Sequence, residues 1–88
     1  MKYYIKMAIG GELFVWHSDA SIRDLWYTAT TVVRSGKRNK YKARFTVKSL
    51  HNGELLFSVY SWKTVNGNWY SNLSPLGKYG LHRPKMFI

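Results

Sequence analysis

The stretch Tyr41-Lys42-Ala43-Arg44-Phe45-Thr46-Val47-Lys48 decides how this chain is read. Apolar and polar residues alternate along it, and successive side chains of a strand point to opposite faces. Tyr41, Ala43, Phe45 and Val47 therefore share one face of a predicted strand, and Lys42, Arg44, Thr46 and Lys48 share the other. The stretch closes a longer basic run, residues 34–48, that holds seven Lys or Arg and no acid: Arg34, Lys37, Arg38, Lys40, Lys42, Arg44 and Lys48. A basic stripe laid along a folded element, rather than a charged tail, is the expectation.

Upstream, Ser21 with Asp24 three residues later has the pattern of a helix N-terminus. Ile22, Leu25, Trp26, Ala29, Val32 and Val33 follow at helical spacing and predict one apolar stripe. Thr28, Thr30 and Thr31 are β-branched and oppose the helix. With Arg34 in the last turn and Gly36 just past the end, the pattern predicts a helix of about three turns. Residues 34–40 are then a flexible charged loop. Further upstream, residues 2–9 and 12–17 read as two strands joined at Gly10-Gly11. A two-residue turn there places Phe14 and Trp16 beside Ile5 and Met7 on the core face. A three-residue loop places them outside with Tyr4 and Lys6, and both registers remain open.

Downstream come a strand over residues 41–50, a turn at His51-Asn52-Gly53 and a strand over 54–64. A second turn at Asn66-Gly67 leads to a last strand over 68–74. A three-residue loop with Gly53 in the left-handed conformation pairs Leu50 with Glu54, Val47 with Phe57 and Phe45 with Val59, whereas a two-residue Asn52-Gly53 loop sets the lysines opposite Leu55, Phe57 and Val59, the less consistent pattern. In the first register the opposite face carries Lys42, Arg44 and Lys48 beside Ser58, Tyr60 and Trp62. A two-residue turn at Asn66-Gly67 adds Trp69 and Ser71 to that face. The fold class is a small α+β domain of order ββαβββ, an antiparallel sheet with one helix packed on one face. Residues 1–76 form that domain. Residues 77–88 form an extended tail, docked or adding an edge strand through Met86-Phe87-Ile88.

Eighty-eight residues with 45% hydrophobic and 17% aromatic content suit one folded domain and exclude a disordered chain. The absence of cysteine removes disulfides and thiolate metal sites. Lys2 and Lys6 interrupt any apolar run at the start, and no stretch reaches bilayer length, so an intracellular, cytoplasmic protein is expected.

Glu12, Asp19, Asp24 and Glu54 flank turns or the helix start, and His17, His51 and His82 lie far apart in sequence. Neither set has the spacing of an acid/base pair or a metal site, so no catalytic residue, metal or cofactor is expected. A metal-independent ribonuclease of the small toxin type is the one enzymatic alternative.

The net charge of +10 needs a partner of opposite sign. Nucleic acid is the leading reading, as a single strand, as RNA, or as duplex held by its backbone. The bases of residues 34–48 would meet phosphates, and Tyr60, Trp62 and Trp69 would stack on unpaired bases. The alternative is an inhibitor or adaptor of the phage or mobile-element type, which uses the same charge on an acidic protein surface. Carbohydrate binding on the tryptophans fits the charge poorly. An exposed edge strand offers a route to a dimer.

Overall fold

The structure, a computed structural model, describes residues 1–72. In chain order the elements are β1 (Tyr3–Ile9), β2 (Glu12–Ser18), α1 (Ile22–Asn39), β3 (Ala43–Ser49), β4 (Leu55–Lys63) and β5 (Trp69–Ser71). The strands form one antiparallel sheet in the order β2-β1-β3-β4-β5, with α1 packed on one face. The α+β fold of order ββαβββ is the one expected. The predicted tail, residues 77–88, and the end of the predicted last strand lie outside the described residues. No described helix is long and apolar enough to cross a membrane.

The core forms where α1 meets the inward positions of β1, β3 and β4. Leu25, Trp26, Ala29 and Val33 from the helix pack on Ile5, Phe45, Val47, Phe57 and Val59. Trp26 meets Phe57 edge to face, with centroids 5.1 Å apart, a geometry that aromatic quadrupoles favour. Ser21 caps the helix, its hydroxyl accepting from the Asp24 N–H at 3.1 Å. The β-branched run is accommodated locally: the hydroxyls of Thr30 and Thr31 donate to the Tyr27 carbonyl at 2.8 and 3.0 Å.

The helix is longer than the sequence suggests. It spans 18 residues and ends at Lys40, which adopts the left-handed conformation (φ 62°) and donates its N–H to the Gly36 carbonyl. Residues 34–39 are thus helix, not loop, and Gly36 lies buried inside it. The glycine serves close approach rather than termination. A Cβ there would stand 2.7 Å from Ser61 Oγ, 2.8 Å from the Tyr41 carbonyl oxygen and 3.1 Å from Ala43 Cβ. Small residues at all the facing positions bring the last turns of α1 down onto β3 and β4.

The turns set the registers. Gly10 and Gly11, both at positive φ, make a two-residue turn closed by Ile9 and Glu12, so Phe14 and Trp16 lie on the helix side. The β3–β4 loop has four residues, 50–53, not three. Ser49 and Glu54 close it, through the Ser49 N–H to the Glu54 carbonyl at 2.8 Å. A β-bulge between Val47 and Lys48, opposite Leu55 and Leu56, absorbs the additional residue. Val47 still faces Phe57 and Phe45 still faces Val59. The β4–β5 turn also differs, with three residues, 65–67, between Thr64 and Asn68 rather than two.

Candidate nucleic-acid interface

The sheet face away from α1 carries the predicted row. Arg44 lies opposite Tyr60 and Thr46 opposite Ser58, with Lys42 just before β3 and Lys48 near its far end. Lys42, Arg44 and Lys48 are all exposed. Next to β3, strand β1 sets Tyr4 beside Lys48, Lys6 beside Thr46 and Ala8 beside Arg44. Lys6 therefore belongs to the same face, a base that the pattern of residues 34–48 does not contain. None of the four acids occupies this face: Glu12 lies on the helix side of β2, and Asp19, Asp24 and Glu54 lie at turns or the helix start. Among the described residues none of Lys6, Lys42, Arg44 and Lys48 has a carboxylate partner.

Aromatic rings continue the row across β4 and β5. The Arg44 guanidinium carbon sits 5.2 Å from the Tyr60 ring centroid, within cation–π range. Tyr60 and Trp62 are 5.4 Å apart, and Trp62 and Tyr70 6.0 Å apart, tilted rather than stacked. Tyr60 and Trp62 are half-buried and Tyr70 is exposed. Asn72 locks the backbone below them. Its side chain accepts from the Tyr60 N–H at 2.9 Å and donates to the Ser58 carbonyl at 3.0 Å.

Where this row meets the Gly10-Gly11 turn, a shallow recess of about 440 Å³ opens, lined by Ala8, Gly11, Lys42, Arg44, Tyr60 and Trp62 among others. Ala8 makes the recess, because any larger side chain at that position would fill the gap beside Arg44. The recess combines two cations with aromatic walls at the end of the sheet where the helix also finishes.

The remaining predicted residues sit elsewhere. Arg34, Lys37, Arg38 and Lys40 are exposed on the last turns and cap of α1, in the layer opposite the sheet row. Lys37 and Arg38 there also complement the negative end of the helix dipole. Trp69 pairs with Lys63 on the helix side, so it does not join the open face. The three-residue turn reverses the parity of β5, sending Ser71 inward and Tyr70 outward beside Trp62. Small residues held the signal for that register. Ser71 opposite Ser61, beneath Gly36, suits the close helix approach, which puts Tyr70 outside.

No cluster of three or more His, Cys, Asp or Glu that could hold a metal exists among the described residues. His17 lies beside Tyr4, the rings tilted with centroids 5.9 Å apart, and His51 lies in the β3–β4 loop, far along the chain, while His82 lies outside the described residues. Compared with protein-family models, with curated proteins and with solved structures, the chain matches none.

Proposed function

We propose that the open face of the sheet binds nucleic acid, with unpaired bases stacking on Trp62 and Tyr70 while Lys6, Lys42, Arg44 and Lys48 neutralise phosphates. One observation carries the reading: among the described residues, an acid-free sheet face sets cations with no carboxylate partner directly beside a row of aromatic rings. Clustered charge of one sign adds little to the stability of the fold, and four like charges on one sheet repel. Aromatics that are only half covered likewise forgo burial that the core would supply. Both features fit a surface completed by a polyanion with flat, stackable faces, for which stacking is worth ~1–3 kcal/mol per base. A single strand suits the site better than a duplex, whose bases present only edges.

The bases of α1 would add contacts to the phosphate backbone from the other layer where the two layers meet, between Lys40 and Lys42. Charge-driven binding makes affinity fall with salt, and each lost phosphate contact reduces the slope of log K against log salt by about 0.7 on a single strand. The Lys42→Ala, Arg44→Ala double variant is therefore expected to lower that slope by about 1.4 for any sequence. A slope that does not change refutes the assignment. Trp62→Ala is expected to weaken single-strand binding by about 5- to 150-fold (~1–3 kcal/mol) and duplex binding far less. Capture of one stoichiometric protein from nuclease-treated lysate, with no affinity for purified nucleic acid, would instead establish the inhibitor or adaptor reading.

A further inference from the structure

Among the described residues strand β2 is an edge of the sheet, and it lacks the devices that protect an edge. Its central residues, Leu13, Phe14, Val15 and Trp16, are 57%, 42%, 48% and 37% exposed, so apolar side chains face solvent on both sides of the strand. Edges are normally guarded by lysine, proline, a bulge or short length. Strand β2 is seven residues long, pairs with β1 without a register shift, and its only charged residue is Glu12. The opposite edge, β5, is three residues long.

The hydrogen-bond parity identifies which backbone groups are free. Gly10 donates to Lys42 and Leu50 donates to Lys2, so the even residues of β1 bond to β3 and its odd residues bond to β2. Their partners on β2 are Glu12, Phe14, Trp16 and Ser18. Leu13, Val15 and His17 therefore direct their N–H and C=O groups outward, where among the described residues no strand accepts them.

We propose that β2 pairs antiparallel with β2 of a second copy, joining two five-stranded sheets into one. The strand is complementary to itself about Val15. A two-fold axis normal to the sheet at Val15 opposes Val15 to Val15, Leu13 to His17 and Glu12 to Ser18. All the outward backbone groups then meet as hydrogen-bonded pairs. On the helix side Phe14 of each copy meets Trp16 of the other, which covers four half-exposed aromatic rings. On the open side Val15 and Leu13 form an apolar row across the joint. No like charges are opposed, which in a chain of net charge +10 singles out this edge as a place where two copies can approach.

The proposal stands apart from the nucleic-acid reading, and salt separates them. Screening the repulsion between two cationic chains strengthens the dimer, whereas it weakens a complex with a polyanion. Sedimentation of the full chain at about 100 μM, far above micromolar dissociation constants, should give twice the 10.3 kDa of one chain, with a dimer fraction that rises with salt. The amides of Leu13, Val15 and His17 should exchange slowly with deuterated water. Val15→Lys sets two ammonium groups against each other at the axis and should yield a monomer. In it, Leu13 and His17 exchange fast while Phe14 and Trp16, bonded to β1, stay protected, which shows the variant is folded. Val65→Lys adds the same charge on the exposed β4–β5 turn and should leave the dimer intact. A monomeric wild type, or a dimer that survives Val15→Lys, overturns self-pairing. In a monomer, slow exchange at the three edge amides would assign the edge to another part of the same chain, and fast exchange would show it open; either result overturns self-pairing.

Discussion

Gly36→Ala tests the packing that positions both layers of charge. In an exposed helix this substitution stabilises, because alanine is favoured over glycine by about 1 kcal/mol. Here the new methyl would sit 2.7 Å from Ser61 Oγ and 2.8 Å from the Tyr41 carbonyl oxygen. The Tyr41 oxygen is backbone and cannot rotate away, so α1 must lift from the sheet or β3 must shift. Overpacking of this kind costs about 1–3 kcal/mol. Ser61 also bridges the junction, accepting from the Ala43 N–H at 3.1 Å and donating to the Tyr41 carbonyl at 3.0 Å. Pushing its hydroxyl aside weakens two bonds worth about 0.5–1.5 kcal/mol each. Subtracting the helix gain leaves a net loss of about 2–3 kcal/mol. For a domain of this size that lowers Tm by about 10–20 °C, measured by thermal and urea denaturation. Ser61→Ala alone should cost about 1–3 kcal/mol by removing the donor to the Tyr41 carbonyl. The double variant should cost less than the sum, since the methyl no longer meets Oγ. A Gly36→Ala protein as stable as the wild type, or more so, would refute the close-approach reasoning.

Two further substitutions probe single positions. Lys40→Gly relieves a non-glycine residue held at φ 62° and should raise stability by up to about 1 kcal/mol. The same change removes a base, so the salt slope for nucleic acid should fall by about 0.7 while the melting temperature rises. Tyr70→Ala should weaken single-strand binding measured by fluorescence titration, because its ring extends the row beyond Trp62. Trp69→Ala, on the other face, should leave the affinity of the folded protein unchanged, and the reverse ranking would contradict the β5 register.

The outline of the fold was legible in the sequence because alternation and helical spacing are strong in β1, β3, β4 and α1. Turn lengths were not legible in the same way. At His51-Asn52-Gly53 the error was harmless, since the loop gained one residue and the bulge at Leu55 and Leu56 removed its effect on register. At Asn66-Gly67 the same kind of error exchanged Trp69 for Tyr70 on the open face, because no bulge compensates there. Gly36 misled for a different reason. Glycine past a basic turn is the usual mark of a helix end, and only the facing Ala43 and Ser61 reveal that it marks contact instead. Those partners lie 7 and 25 positions away in sequence, beyond any local pattern.

The helix length also divides the basic run into parts with different causes. Lys37 and Arg38 stand at the negative end of a helix dipole, where cations are favoured by about 0.3–1 kcal/mol without any ligand. Lys42 and Lys48 have no comparable reason to be cationic, and Arg44 has only its contact with the Tyr60 ring. They face solvent on a sheet with Lys6 between them and no carboxylate within the face, an arrangement that raises the energy of the isolated domain. Stability alone would place polar neutral residues or mixed charge there. The weight of the functional reading therefore rests on the sheet row and its aromatic neighbours, and the helix bases add phosphate contacts at its margin. Neutralising Lys37 and Arg38 should accordingly destabilise α1 as well as weaken binding, whereas neutralising Lys42 and Lys48 should weaken binding with no loss of stability.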